Sequence, residues 1–384
     1  MRFLQFLRSW KRKVSKTSDT FLEIRIKKER LVENLNFFKS LFPYCQIAVV
    51  LKSNAYGHGL KEIGTFLDKR EEVSYLVVDS LLEALILRDT GVKKRLLILG
   101  NVLENNLFLL KKIKKATLLI NSLINAKLFS SKINFPLSIH LKVDTGMRRQ
   151  GVKLEELEEA IRILSLNKNL KIEGLATHLA DADNVDEKET LKQIQLWKEA
   201  LKIFKSLVRE EGIFHFSATA GTKFLSPSLG NLIRLGIGFY GIDTTLDSRL
   251  KVKPALSFWA RVINFKEIKR GEGIGYNFSW RADENGWIGI LPCGYYEGLP
   301  WALSNKGVVY FENQPLKIRG RISMNMTAIE ITPAINQIKE NDWIEVYSDE
   351  VEKLNSVQKI AQACNTLPYE ILVRLAPTIR RVLI

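Results

Sequence analysis

Short apolar runs alternate with amphipathic segments through the first two-thirds of the chain. The runs fall at 47–51, 75–78, 96–99, 117–120, 137–143, 172–176, 214–217 and 235–240. Each has the length and composition of a buried strand. Between them the period changes. Leu154, Leu157, Ile161 and Leu164 recur at spacings of three and four, which puts all four on one helix face. A longer helical segment runs from about 187 to 211 and stops at Gly212. Eight strand–helix repeats without a long interruption predict an α/β fold, a parallel (β/α)8 TIM barrel. A doubly wound sheet is the alternative, but it usually has fewer strands. The last repeat closes near Ile242, in keeping with the ~250 residues typical of such barrels.

After about residue 250 the texture changes. Strand-like runs follow one another without long helices at 255–265, 273–280, 287–292, 308–311, 326–331 and 343–346. Two helical segments, 357–363 and 369–375, come late. This predicts a mainly β C-terminal domain. Phe21-Leu22-Glu23-Ile24-Arg25-Ile26 also alternates like a strand and is expected to pair with it. The expected organisation is a basic leader over 1–19, a barrel over 20–250 and a β domain over 251–384.

Composition narrows the class. The chain has 384 residues, 46% apolar and 26% charged, ordinary for a globular protein of two domains. None of the three cysteines, Cys45, Cys293 and Cys364, lies in a CxxC pair. Neither a metal site nor a disulfide framework is suggested, and a reducing cytoplasm fits. The net charge of +16 can mean nucleic acid or an anionic membrane surface, or simply lysine-coated helices such as Lys111-Lys112-Ile113-Lys114-Lys115. No nucleic-acid module is recognised, so no nucleic-acid partner is expected. No apolar run reaches the ~18 residues of a transmembrane segment. The stretch from Met1 to Lys13 is too short and too interrupted, at Arg8, for a signal peptide. A membrane-surface segment, a disordered leader and a start codon placed too early all remain open for residues 1–17.

Lys52 follows directly on the first run, and catalytic side chains of a barrel sit at C-terminal strand ends. A lone lysine there is usually a solvated strand end. The segment after it, Ser53-Asn54-Ala55-Tyr56-Gly57-His58-Gly59, is of the kind that packs backbone closely against a ligand. A lysine held in such a loop can be desolvated and become a nucleophile toward carbonyls.

Val50-Leu51-Lys52-Ser53-Asn54-Ala55-Tyr56-Gly57-His58-Gly59 resembles the cofactor-lysine motif of the alanine racemase family. The resemblance extends from about Thr20 to the C-terminus through six motifs in the family's order. It implies a barrel that binds pyridoxal 5'-phosphate (PLP) followed by a β domain, and interconversion of L- and D-alanine, which supplies D-alanine for peptidoglycan. It implies that Lys52 carries the cofactor and that Tyr56 lies among the groups binding it. Arg149, in Lys142-Val143-Asp144-Thr145-Gly146-Met147-Arg148-Arg149, would contact the substrate carboxylate and the cofactor's phenolic oxygen, which suits a guanidinium fork. In the family the lysine matching Lys142 can be carbamylated. His178, in Gly174-Leu175-Ala176-Thr177-His178, would lie under the cofactor ring.

Arg234-Leu235-Gly236-Ile237-Gly238 resembles the family's phosphate loop. The amides of Gly236 and Ile237 would hold the phosphate and Arg234 would face the pyridine nitrogen. Tyr276, in Gly275-Tyr276-Asn277-Phe278-Ser279-Trp280, matches the family's second base. Racemisation needs proton transfer on both faces of a planar centre, which one lysine cannot easily serve. By resemblance the lysine serves the D-alanine face and the tyrosine the L-alanine face. His178 and Arg234 would assist the phenol through a hydrogen-bonded chain. Tyr276 would reach the partner's barrel, so a homodimer is implied. Met324, in Ser323-Met324-Asn325-Met326, would meet the substrate carboxylate through its backbone, and Tyr369 would bond the phosphate.

Two positions depart from the family. Ala218-Thr219 stands where Asn-Ser is common; Thr219 can keep the hydroxyl-to-phosphate bond, but the amide is lost. Asn325 stands where an aspartate is usual. A broader-specificity or serine racemase is therefore an alternative. Single-domain PLP carriers and two-domain basic-amino-acid decarboxylases share the barrel. The carriers lack a β domain, and the decarboxylases do not pair a pyridine-facing arginine with this tyrosine.

Overall fold

The computed structural model describes residues 19–208, 211–245 and 250–384. The expected leader lies outside these residues up to Ser18. Strand β1 (Leu22–Ile26) comes first, then helix α1 (Lys28–Leu41). Eight strands follow: β2 (Gln46–Val50), β3 (Val73–Val78), β4 (Arg95–Ile98), β5 (Ala116–Ile120), β6 (Leu137–Lys142), β7 (Leu170–Ala176), β8 (Ile213–His215) and β9 (Leu232–Leu235). Helices follow the first six of these in turn: α2 (Leu60–Asp68), α3 (Leu81–Asp89), α4 (Leu107–Leu110), α5 (Leu123–Lys132), α6 (Leu157–Ser165) and α7 (Lys188–Leu207). A 310 turn, Ala220–Phe224, takes the helix's place after β8.

The strands lie in the order β8-β7-β6-β5-β4-β3-β2-β9, with parallel register at each paired step. The ring closes where the Asn231 N–H donates to Phe214 O (3.0 Å) and the Arg234 N–H to Ser217 O (3.1 Å). Strands covered on both faces must be apolar almost throughout. All five residues of β5 are buried, as are the last four of β2. This is the (β/α)8 barrel that the alternation of runs predicts.

The eighth run is displaced. Only its first residue, Leu235, is strand; β9 begins three residues earlier, and 236–241 turns back on itself. Phe239 N–H bonds to Gly236 O (3.0 Å) and Tyr240 N–H to Ile237 O (3.1 Å). Ile237, Phe239 and Tyr240 are nevertheless buried. An apolar run reports burial, and here glycine turns the buried segment into a loop. A Cβ on Gly238 would stand 2.6 Å from Thr219 Cγ2, so only glycine fits.

The described residues pack as two compact units, Lys27–Ala255 and, with β1, Leu256–Val382. The second unit contains β10 (Leu256–Arg261), β11 (Asn264–Ile268), β12 (Gly273–Ile274), β13 (Trp280–Arg281), β14 (Gly286–Leu291), β15 (Val308–Phe311), β16 (Gln314–Arg319), β17 (Thr327–Glu330), β18 (Trp343–Tyr347), helices α8 (Val357–Ala363) and α9 (Pro368–Val373), and β19 (Arg380–Leu383). Nine of its strands form one sheet, β11-β14-β17-β16-β15-β18-β10-β1-β19. β1 runs antiparallel to β10, with Ile24 opposite Phe258. Its period-two pattern buries Ile24 and Ile26 on one face. Arg25, pointing the other way, lies 4.5 Å from the Trp259 ring and 5.0 Å from that of Trp343.

The segment 273–280 is not one strand. β12 and β13 are two-residue strands on either side of a turn at Tyr276–Phe278. Gly275 (φ 67°), Asn277 (φ 60°) and Phe278 (φ 45°) are left-handed there, which an extended strand excludes.

Candidate active site

Lys52 stands two residues beyond β2, half-buried, and opens an unusual turn. Ser53, Asn54, Ala55 and Tyr56 have φ of 55°, 56°, 52° and 52°, a left-handed helical turn built without glycine. Left-handed backbone costs an L-residue roughly 1–2 kcal/mol, so the surroundings must impose it. The Ser53 N–H donates to Glu83 Oε1 (2.8 Å), and Leu60 N–H to Asn54 Oδ1 (2.9 Å). Glu83 Oε2 also accepts the N–H groups of Asp79 (2.9 Å) and Ser80 (3.1 Å), while Ser80 Oγ accepts the Glu83 N–H (3.1 Å). One carboxylate thus caps α3 and clamps the loop behind Lys52.

Sequence reading did not single out Glu83. The signal was there: Ser80-x-x-Glu83 before an apolar segment is a capping box. Glu83→Ala is expected to lower stability by about 2.5 kcal/mol, from the cap (~1 kcal/mol) and a bond to a charged group (~1.5 kcal/mol). Urea unfolding measures it, and an unchanged midpoint would mean that the left-handed turn holds itself.

The barrel's other predicted residues gather at the same strand ends. Lys142 ends β6 and is buried. Burial lowers its pKa to about 8, and the charges of Arg234, Arg149 and Lys52 act in the same direction against Asp144. Arg149 is exposed, beyond a turn in which Asp144 Oδ1 accepts the N–H groups of Gly146 (2.9 Å) and Arg148 (3.1 Å). His178 follows β7 by two residues. Burial, then the charges of Arg234, Lys142, Arg149 and Lys52, lower its pKa to about 3, so its imidazole is neutral.

Arg234 lies within β9 and is buried. Its Nη1 donates to His215 Nδ1 and to His215 O, both at 2.6 Å. Its Nη2 donates to Thr177 O (2.8 Å), His178 Nδ1 (3.0 Å) and Phe216 O (3.4 Å). Burial lowers its pKa to about 10, which leaves it a cation at neutral pH. His215, a lone histidine in a strand, carried no signal in the sequence.

The loop after β9 suits an anion. Its internal bonds use the N–H groups of Phe239, Tyr240, Gly241 and Ile242, and Thr219 Oγ1 accepts that of Gly238 at 3.1 Å. None of these uses the N–H groups of Gly236 or Ile237. A Cβ on Gly236 would stand 3.0 Å from the Tyr56 hydroxyl, so the Tyr56 phenol lies against the loop. Because β2 and β9 are neighbours, Lys52 and this loop leave adjacent strands. An amine, two amides not used in these bonds with hydroxyls nearby, and a buried guanidinium form a donor set that fits pyridoxal phosphate.

The β unit carries the remaining predicted residues. Tyr276 heads the turn between β12 and β13 and is 69% exposed. Met324 is exposed; its carbonyl accepts the Tyr296 N–H at 2.9 Å. Tyr369 is at the start of α9, with its ring partly exposed. Asn325 explains its own departure. Its Nδ2 donates to Glu297 Oε1 (2.8 Å), and an aspartate there would set two carboxylates against each other.

A parallel (β/α)8 barrel with its ionisable groups at the C-terminal strand ends, followed by an antiparallel β unit, is the architecture of a two-part barrel enzyme. Residues 26–244 match the model of the alanine racemase N-terminal domain, and residues 255–383 that of the C-terminal domain. The chain belongs to the alanine racemase family. It is 30% identical to an alanine racemase of Leptospira interrogans, over 96% of this chain and 98% of that one. The solved alanine racemase of Clostridium difficile 630 superposes with a TM-score of 0.87 at 28% identity, covering 96% of this chain and 97% of the other. Alanine racemase from Bartonella henselae, solved with covalently bound pyridoxal phosphate, superposes with a TM-score of 0.81 at 25% identity, over 95% and 100%. Among the described residues, no helix is long and apolar enough to cross a membrane.

Proposed function

We propose that this isomerase interconverts L- and D-alanine with PLP on Lys52 and with Lys52 and Tyr276 as opposed bases. The observation that carries the reading is Arg234, a buried cation fixed by five acceptor contacts at the barrel face that also presents Lys52. Bound PLP supplies the electron sink that makes a Cα proton removable. The amides of Gly236 and Ile237, with Thr219, Tyr56 and Tyr369, would hold the phosphate. Arg149 and the Met324 backbone orient the substrate carboxylate. Arg234 is donor-only and charged, so it would leave a ring nitrogen set against it unprotonated. Such a ring would be a weaker sink, which would favour returning the proton to Cα over transamination. Lys52 Nζ moves the proton on one face of Cα and Tyr276 Oη on the other.

In this reading the protein is a homodimer, and Tyr276 serves the partner's barrel. The exposure of Tyr276, Tyr295, Tyr296, Trp301 and Met324 on the β unit supports it. Cys45, Cys293 and Cys364 are all free thiols, which fits a cytoplasmic enzyme making D-alanine for peptidoglycan. L-Alanine turnover with added PLP, coupled to a D-amino-acid oxidase, tests the activity, with L-serine as the comparison substrate. Alanine is expected to be the preferred substrate. No D-alanine from the folded, PLP-loaded dimer would overturn the proposal.

A further inference from the structure

Arg234 is the visible end of a longer polar chain. His215 Nδ1 faces Arg234 Nη1 at 2.6 Å, and its Nε2 faces His140 Nδ1 at 2.8 Å. Both imidazoles are fully buried in the barrel, on β8 and β6, with ring centroids 4.9 Å apart. Hydrogen-bond polarity then settles every proton. A guanidinium has donors only, so His215 Nδ1 must accept. A neutral imidazole has one N–H, so His215 carries its proton on Nε2 and donates it to His140 Nδ1. His140 is therefore protonated on Nε2. The same logic applies to His178, whose Nδ1 accepts from Arg234 Nη2 at 3.0 Å and whose proton is on Nε2. Burial and the charges of nearby arginines keep His140 neutral, with its pKa lowered to about 3, and push that of His215 well below the ordinary value.

We propose that His140 is a positioning residue. By accepting the His215 Nε2–H it locks the His215 ring in the one orientation that presents Nδ1 to Arg234. Among the described residues, no hydrogen bond or ring contact joins His140 to Lys52 or the Gly236 loop; it acts through His215. With both nitrogens of His215 committed, a ring flip would place carbon where Arg234 and His140 need nitrogen. This deepens the reading of Arg234 as the group facing the cofactor, and in that respect rests on it.

The chain has four histidines, so histidine-selective 15N labelling gives a resolvable spectrum. In the wild-type holoenzyme, long-range 1H–15N spectra should show His140, His178 and His215 as neutral Nε2–H tautomers. His58, whose Nδ1 lies 3.0 Å from the Tyr56 carbonyl, should be the one Nδ1–H tautomer. His140→Leu removes the acceptor at similar volume and should broaden or split the His215 signals. It should also lower kcat by roughly 10-fold with KM changed less than about 3-fold, as expected for a group acting only on the reacting geometry. His140→Asn restores an acceptor oxygen near the Nδ1 position and should recover both. An Nδ1–H tautomer at His215 in the wild type, or titration of His140 or His215 between about pH 5 and 8, would overturn the proposal. So would a folded His140→Leu variant with wild-type spectra and kcat. The tautomers are read without turnover, so their failure is distinguishable from a failure of the catalytic reading.

Discussion

Lys52→Ala is expected to reduce alanine interconversion by at least ~10⁴-fold while leaving the protein folded. Removing a general base commonly costs roughly 10²–10⁴ in rate, and this lysine would also hold the cofactor covalently. The fold should tolerate the change. The left-handed turn after Lys52 is held by the Ser53 N–H on Glu83 and by Asn54 on Leu60, and the Lys52 side chain takes no part in either. Electrostatics predict a gain, since Lys52 adds to the positive field that depresses Lys142 and His178. The wild type should be yellow, and borohydride should fix a pyridoxyl group on Lys52 in peptide mapping. The variant should bind PLP without a covalent link. A pyridoxyl group mapped to another lysine, or a variant retaining a tenth of the activity, would move the cofactor elsewhere.

The architecture was legible because a barrel strand is buried on both faces and so is apolar along its length. Six runs fall on strands to within two residues, and the seventh, 214–217, does so only at Phe214 and His215. The eighth does not, because Ile237, Phe239 and Tyr240 are buried in a turn, and hydrophobicity does not distinguish a buried turn from a buried strand. The β unit was harder to read. β16, Gln314–Arg319, buries only Leu316 and Ile318 and sets Lys317 between them, so it offers no continuous run. β19, Arg380–Leu383, starts with two arginines and buries none of its four residues fully, so it offers no such run either.

The candidate site was legible where resemblance to a family marks a residue. It was silent where a residue acts through another. Lys52, Arg234 and Tyr276 stand in motifs. His140 and His215 are lone strand histidines, 75 positions apart, and only the neighbouring of β6, β7 and β8 brings them to 2.8 Å. Glu83 reaches Ser53 across 30 positions in the same way. Thr219 was expected to bond the phosphate directly. Its oxygen accepts the Gly238 N–H, so it also shapes the loop whose amides would do the binding.

Tyr276→Phe should slow racemisation by ~10²–10⁴-fold in both directions, since each turnover would use both bases. The substitution deletes one oxygen from a side chain that is 69% exposed, so packing is preserved and the melting temperature should hardly move. PLP should still bind, because Lys52 and the Gly236 loop are intact. Isotope exchange separates the two bases. In D₂O the variant should wash deuterium into one enantiomer of alanine, the D form by resemblance to the family, while scarcely forming the other. Subunit mixing then asks which barrel the phenol serves. Neither Lys52→Ala nor Tyr276→Phe homodimers should turn over. In a heterodimer one barrel keeps its own Lys52 and receives an intact Tyr276 from the Lys52→Ala chain. Random exchange makes half the dimers mixed, each with one working site of two, so about a quarter of wild-type activity should return. No recovery after verified exchange would place Tyr276 beside the barrel of its own chain. Near-wild-type racemisation by Tyr276→Phe would leave Lys52 as the sole base, swinging between faces, or transfer the second role to His178, whose Nε2–H is the one polar atom of its ring not engaged by Arg234.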